Sequence, residues 1–403
     1  MDMEKNFDVI VIGGGASGLF ACAAFHGKKL QVALLECNER VGKKLIATGN
    51  GKCNLTNIDM NFVHYNKPHY VEDFLSRYGS METIVSFEKM GLLTKVIDNR
   101  VYPYSENSAN VLDVLRRKLS DNIQVFTQYT VEEVVKKEDM FVVSGYTTEK
   151  GKRVGVFSLT AKYVILGTGS FASFGRDSLS ILEKLGHKIK SPRPSLVPIK
   201  TEKDGIKGLS GVRVKAGVRL GYRYEIGEVL FKDFGLSGIA VFNMSSEIAR
   251  GNAQSDKIII DFMPESSAAE VDLMLRKRGA GSVGELLVGT FHSKVVERLI
   301  NYAECTPDDD PNGKISAITN AIKSYTLKIT GIGDASLAQV VSGGLTVEEF
   351  DENLCSKIVP NFYAMGEALD VDGDCGGYNL QWAWTSAKVC ADGILKKFMA
   401  ANL

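Results

Sequence analysis

FDVIVIGGGASGLF, residues 7–20, is the stretch on which the fold turns. Residues 7–12 form a short apolar run suited to a buried parallel strand, and Gly13, Gly15 and Gly18 follow it at the G-x-G-x-x-G spacing. Each glycine has a separate duty. Gly13 makes the tight turn, Gly15 lets backbone approach a pyrophosphate, and Gly18 lets the next helix pack closely on the sheet. That helix, expected over residues 16–28 and opening with Ala16 and Ser17, aims unpaired N–H groups and a partial positive charge at the pyrophosphate. Residues 31–36 (QVALLE) supply a second strand, and Glu36 ends it where a ribose diol is bound. Strand, turn, helix, strand and acid in this order predict an adenine dinucleotide on an α/β, Rossmann-like domain.

Working outward, 403 residues with 44% hydrophobic and 24% charged side chains leave room for two or three domains with sizeable cores. Basic and acidic residues number 48 each, so net charge exerts no pull toward nucleic acid or an anionic membrane, and neither is an expected partner. Arg276-Lys277-Arg278 and Lys396-Lys397 read as solvated helix faces. No apolar run approaches a membrane span and no signal-like segment leads the first strand, which makes the cytoplasm the expected location. The seven cysteines and five histidines show no C-x-x-C or ligand-like spacing, so no metal is expected.

The Gly-, Lys- and Asn-rich residues 41–57 read as a functional loop without regular structure. Helices are expected near 70–90 and 108–120, the second capped by Asn107 or Ser108. Residues 125–135 and 140–146 alternate as a small antiparallel sheet does, and 161–166 is another buried strand, running into Gly167-Thr168-Gly169-Ser170. The texture changes at Pro192, Pro194 and Pro198. Residues 1–190 and 340–403 therefore read as one discontinuous dinucleotide-binding domain, and 191–339 as an inserted, mixed β-rich and helical substrate or cap domain. Strand 362–365 and helix 379–398 close the first domain, which would leave a cleft against the insert for a ligand.

A second block, DVDGDCGGYNLQWAW at 370–384, sets three glycines and three acids before an apolar helix. Backbone N–H groups there can converge on an acceptor, and a flavin offers one: its pyrimidine end gains negative charge when hydride arrives across the ring. A glycine-rich turn that only packs the helix is the alternative. Here the chain resembles the BaiN-like and aminoacetone-oxidase-like FAD-binding proteins, NAD(P)/FAD-dependent oxidoreductases of the glutathione-reductase-type fold with a characteristic insert. The matching pieces are VIGGGASG (11–18), GKKLIATGNGKCNLTN (42–57), NRVYPYSENSANVL (99–112), GHKIKSPRPSLVP (186–198), GEVLFKDFGLSG (227–238), AQVVSGGL (338–345) and FYAMGEALDVDGDCGGYNLQWAW (362–384).

The resemblance implies FAD held by Gly13, Gly15, Ala16, Ser17, Gly18 and Glu36, with Lys43 and Lys44 alongside and the Val131 backbone edging the adenine. It implies Thr168 and Gly169 beneath the dinucleotide, Asn54 lining the flavin, and Gly366 and Glu367 at the ribityl or pyrophosphate part. Asp370, Gly376, Gly377, Tyr378, Asn379, Leu380 and Gln381 would meet the isoalloxazine ring. The chain departs from the family at Gly167 and Ser170, where Ala and Gly are usual, and over residues 171–177, where a tyrosine-proline loop is expected.

The implied activity is an FAD-dependent oxidoreductase that passes hydride between flavin N5 and a small organic substrate. Amine oxidation and NAD(P)H-linked reduction both stay open. Gly331-Ile332-Gly333-Asp334-Ala335-Ser336 lacks a third glycine, so any NAD(P)H would dock transiently as electron donor. Cys53 and Cys375 fall in flavin-proximal motifs, but without dithiol spacing they read as structural. Tyr378, Trp382 and Trp384 fall close to the inferred ring, the tryptophans reading as core packing rather than a substrate platform, while Arg100 and Tyr102 either face substrate or anchor the fold. No residue stands out as catalytic acid or base, and oligomeric state is left open. The rival class is a flavin-containing binding or redox-sensing protein associated with RNA or another partner.

Overall fold

The structure, a computed structural model, describes residues 5–169, 182 and 184–401. Ser170 and the 171–177 segment, where the family pattern breaks, lie outside the described residues. Two compact units emerge: Met1–Arg193 with Val340–Leu403, and Pro194–Gln339.

The first unit opens with β1 (Lys5–Ile12), α1 (Ala16–Phe25) and β2 (Val32–Glu36), then α2 (Lys43–Ala47) and β3 (Thr56–Asn57). It continues with α3 (Pro68–Arg77), α4 (Ser80–Lys89), β4 (Thr94–Ile97), β5 (Arg100–Pro103), α5 (Ser108–Arg116) and β6 (Ile123–Thr127). A ribbon of β7 (Tyr129–Lys137), β8 (Met140–Glu149) and β9 (Lys152–Leu166) follows, and β10 (Phe362–Ala364) and α6 (Tyr378–Ala401) close the unit. Strands β6, β2, β1, β9 and β10 lie side by side and parallel. β2 is buried along its whole length, as a strand covered on both faces must be. β9 begins exposed and ends buried, because its first part pairs antiparallel with β8 and its last part enters the parallel core.

Several expectations are corrected. Residues 123–127 are the parallel edge strand β6, and the antiparallel ribbon starts only after Gln128, whose left-handed backbone (φ 63°) turns the chain. The 70–90 helix is two helices, broken where Tyr78 leaves helical geometry and the Gly79 N–H donates to Glu82 (2.9 Å). The stretch taken as an irregular loop contains α2, entered through Gly42 at φ 77°, where a Cβ would lie 2.4 Å from Leu112. Asn107 is the cap of α5, accepting from Ala109 N–H at 2.9 Å.

Trp382 and Trp384 are buried, and Trp384 packs on Phe20 of α1 with ring centroids 5.2 Å apart. Their indole N–H groups donate to Gly366 O (3.1 Å) and Leu55 O (2.9 Å), so α6 ties down two loops that carry candidate site residues.

The second unit is built on a closed six-stranded barrel: Ile199–Thr201, Gly235–Ser237, Arg223–Lys232, Arg213–Leu220, Lys257–Asp261 and Tyr325–Ile332, in that order around it. Val218, Val229, Phe231, Ile258, Ile260 and Leu327 fill its core. Gly331 and Ile332 end a strand antiparallel to both neighbours, and a single 3-10 turn follows at Ala335–Leu337. That segment lacks the parallel strand and helix of a dinucleotide turn. Among the described residues no helix is long and apolar enough to cross a membrane.

Candidate functional site

The carboxyl ends of β1, β9 and β10 meet, which is where ligands bind in open parallel sheets. A Cβ built on Gly13 (φ 108°) would lie 2.4 Å from Gly167 O and 2.8 Å from Thr168 Cα, so the first turn rests on the second. On Gly18 it would lie 1.8 Å from Gly13 O, which only glycine avoids. On Gly15 it would meet nothing within 4 Å. Open space therefore stands before α1, and no side chain caps that helix. Its first N–H groups and dipole face that space.

Glu36 is 6% exposed, and its carboxylate accepts from Gly14 N–H (2.9 Å), Asn38 N–H (2.8 Å) and Asn38 Nδ2 (2.5 Å). The acid thus braces the glycine turn. Lys43, exposed, reaches Asn38 Oδ1 at 3.4 Å. Gln128 N–H donates to Asn38 O (3.0 Å), which brings the start of β7, with Val131 in it, to the Glu36 loop.

Three distant segments converge beside the turn. Lys44 Nζ lies 2.8 Å from Glu367 Oε2, and a Cβ on Gly169 would lie 3.7 Å from the same oxygen. Ser17 Oγ lies 3.1 Å from the Cβ position of Gly366 and 3.4 Å from that of Gly167. Two buried polar atoms, Thr168 Oγ1 in this turn and Asn54 Oδ1 in the 41–57 loop, have no protein hydrogen-bond partner. An orphaned buried polar atom costs about 1–3 kcal/mol, and a bound ligand relieves that cost.

Gly376 and Gly377 open α6 at φ 142° and 102°, and a Cβ on Gly377 would lie 2.7 Å from the Thr56 backbone. Asn57 Nδ2 donates to Gly376 O (3.1 Å), and Thr56 Oγ1 donates to Gln381 Oε1 (2.6 Å). The structure gives Gln381 a different duty from the one expected. Its fully buried amide also donates to Thr83 Oγ1 (3.0 Å) and Thr385 Oγ1 (2.9 Å), and its backbone N–H donates to Gly377 O (2.9 Å), so the residue holds the helix start together. The Asn379 amide is similarly spent on Gly373 N–H (2.9 Å) and Gly373 O (2.7 Å). Asp370, 3% exposed, accepts from Asn66 Nδ2 (3.2 Å) and pairs with Lys190 (3.4 Å) and Lys67 (3.9 Å). Leu380 is half-buried, and Tyr378 is 6% exposed. Arg100 and Tyr102 lie on β5, between β3 and β4, where Arg100 pairs with Asn57 and Tyr102 with Lys95.

Within that loop Asn50 and Cys53 adopt left-handed backbones (φ 54° and 56°), each a strain of about 1–2 kcal/mol. The Cys53 thiol is buried, and burial pushes it up to about 12, a contact with Thr48 offsetting this slightly. It carries no thiolate at neutral pH, as a redox nucleophile would need to.

Sequence reasoning missed residues 64–66. Tyr65 bridges Gly373 antiparallel, Asn66 N–H donates to Asp372 O (3.0 Å) and Asp374 N–H donates to His64 O (2.9 Å). His64 Nδ1 lies 3.0 Å from Asp374 Oδ2, and its ring stacks on Tyr378 with centroids 4.3 Å apart. No local motif marks these residues, since Asp374 is 310 positions from His64.

A parallel sheet with a glycine turn, an uncapped helix before open space and a glycine-rich second helix start define a Rossmann-type FAD-dependent oxidoreductase carrying an additional β-rich domain. Residues 7–393 match the HI0933-like protein Rossmann domain, and the chain belongs to that family. It is 34% identical over 401 residues to a 3-dehydro-bile acid delta(4,6)-reductase of Clostridium scindens, covering 93% of this chain and 96% of that one. It is 27% identical to the Escherichia coli (strain K12) ribosomal RNA dihydrouridine synthase, covering 98% and 99%. Among solved structures, 3-ketosteroid delta1-dehydrogenase from Sterolibacterium denitrificans superposes with a TM-score of 0.49 at 15% identity, covering 98% of this chain and 100% of that chain.

Proposed function

We propose that this protein reduces a carbon–carbon double bond conjugated to a carbonyl in a small organic substrate, using FAD held at the strand ends, with NAD(P)H docking transiently as electron donor. The observation that carries the FAD site is the open space at Gly15 before the uncapped start of α1, with the unpartnered Thr168 Oγ1 in the turn packed on Gly13. The residues present fit such a group. N–H groups at Gly15, Ala16 and Ser17 would hold the pyrophosphate, the Lys44–Glu367 pair would flank it, and Glu36 would take the ribose. Asn54 Oδ1, with backbone groups at Gly376, Gly377, Tyr378 and Leu380, would orient the flavin. FAD, when bound, supplies the hydride.

Reduction is preferred to amine oxidation because the two relatives named above carry names of such reductions: of the delta(4,6) double bonds of a 3-dehydro bile acid, and of uridine to dihydrouridine. The second of these names favours a further reading, a pyrimidine in RNA as substrate, which is the same bond chemistry. The setting of the proposal is the cytoplasm, in keeping with reduced, buried thiols at Cys22, Cys53 and Cys390.

The test is anaerobic mixing of the FAD-loaded protein with NADH or NADPH, then with cyclic enones, amines or uridine-containing RNA. The proposal expects bleaching by a nicotinamide and return of colour with an enone. Bleaching by amines with indifference to every enone would sink it, and return of colour with RNA alone would transfer it to the second reading.

A further inference from the structure

Building on the reductive reading, the geometry points to His64 as the group that delivers a proton to the substrate carbon beside the carbonyl. A carboxylate can only accept, so the 3.0 Å contact with Asp374 Oδ2 places a proton on His64 Nδ1. Asp374 is 5% exposed, and its N–H also holds the His64 carbonyl at 2.9 Å. The stack on Tyr378, with planes inclined by 24°, fixes the ring's orientation. Side chain and backbone are thus clamped on the Gly373–Tyr378 turn, and the side chain stays 36% exposed. Nε2 has no hydrogen-bond partner among the described residues, so it is the nitrogen left to exchange a proton.

Three nearby titratable groups are committed elsewhere. The Tyr65 hydroxyl donates to Tyr378 O (2.8 Å) and burial pushes its ionisation up, while Lys67 and Lys190 pair with Asp370. Because Nδ1–H stays bound to Asp374 whether or not Nε2 is protonated, the ring need not move during transfer.

The step balances. The step starts from the ring protonated at both nitrogens: the Nε2–H bond breaks and its proton forms a C–H bond at the carbon beside the carbonyl, as the π electrons of the double bond move there. Bound FAD, once reduced, would supply the hydride taken up by the far carbon, and the imidazole, still protonated at Nδ1, regains its Nε2 proton from solvent.

Two measurements test this. In protein labelled with 15N-histidine, apo and FAD-loaded, side-chain NMR is expected to show His64 with Nδ1 protonated and to lose that preference in Asp374→Ala. In stopped flow, His64→Gln is expected to slow reoxidation of the reduced protein by an enone about 100-fold or more. Its FAD content and its reduction by NAD(P)H should stay within about twofold of wild type. If His64→Gln does not fold, Asp374→Ala replaces it, with slower reoxidation at unchanged FAD content expected. Reoxidation of His64→Gln within about threefold of wild type, or an unprotonated Nδ1, overturns the assignment. A wild-type protein reduced by NAD(P)H yet inert to every enone overturns the functional reading, and the proton-donor role with it, while the NMR result judges the imidazole geometry separately.

Discussion

Replacing Gly15 by alanine separates a glycine kept for the fold from one kept for a ligand. The structure leaves nothing within 4 Å of the new methyl, and the backbone there (φ −80°, ψ −161°) suits alanine. Alanine is a poorer helix cap than glycine by about 1 kcal/mol, and the lower entropy of the unfolded chain offsets part of that, so apoprotein stability should change by no more than about 1 kcal/mol. The same methyl would occupy the space where a pyrophosphate must approach the backbone. Losing one or two charge-assisted hydrogen bonds costs about 3 kcal/mol, or roughly a hundredfold in the FAD dissociation constant. Gly18→Ala is the control. Its Cβ would sit 1.8 Å from Gly13 O, where ordinary contact starts near 3.4 Å, and backbone cannot swing aside as a side chain can. α1 must then retreat from β1, at an expected cost of about 3 kcal/mol. The assays are thermal melting of apoprotein by circular dichroism and FAD titration by flavin fluorescence. If Gly15→Ala binds FAD as tightly as wild type, the reasoning about that open space is wrong.

Glu36→Gln puts an amide donor among the donors of Gly14 and Asn38 and should cost about 2–3 kcal/mol in urea unfolding of the apoprotein. Gln381→Ala strands Thr56, Thr83 and Thr385 in the interior, and a loss of about 3 kcal/mol by the same assay is expected. Burial raises the thiols of Cys53 and Cys37 to about 12 from 9.0, so the folded chain holds protons that the unfolded chain releases. Stability should be level below pH 9 and fall as pH rises toward 12, measured as the urea midpoint against pH, with Cys53→Ala flattening the decline. Hydrogen bonds from Lys52 and then Lys95 lower the Glu106 carboxyl to about 2, so this clamp on the Asn54 loop is whole above pH 4.5 and is lost as pH falls through 2. Glu106→Gln should free Lys52 for an early tryptic cut, seen by mass spectrometry.

The β1–turn–α1–β2 unit was readable because its signals are local: an apolar run, three glycines at fixed spacing and an acid at the next strand's end. What escaped depended on single backbone angles or on distant partners. Gln128 at φ 63° separates a parallel edge strand from an antiparallel ribbon, and nothing in the alternation of residues 125–135 marks that point. α2 is five residues long and seated through Gly42 against Leu112, a contact with no local trace. Gln381 lies in a motif that points to a ligand, yet its amide is claimed by Thr56, Thr83 and Thr385. His64 acquires meaning only once the chain folds it against Asp374 and Tyr378.

FAD occupancy of the strand-end cradle can be read from the visible spectrum of protein purified from riboflavin-sufficient cells, with mass analysis of what denaturation releases. Occupancy gives a yellow protein that releases FAD in near one-to-one ratio and, once stripped, takes it up again. A colourless protein that refuses FAD at every concentration tried would contradict it.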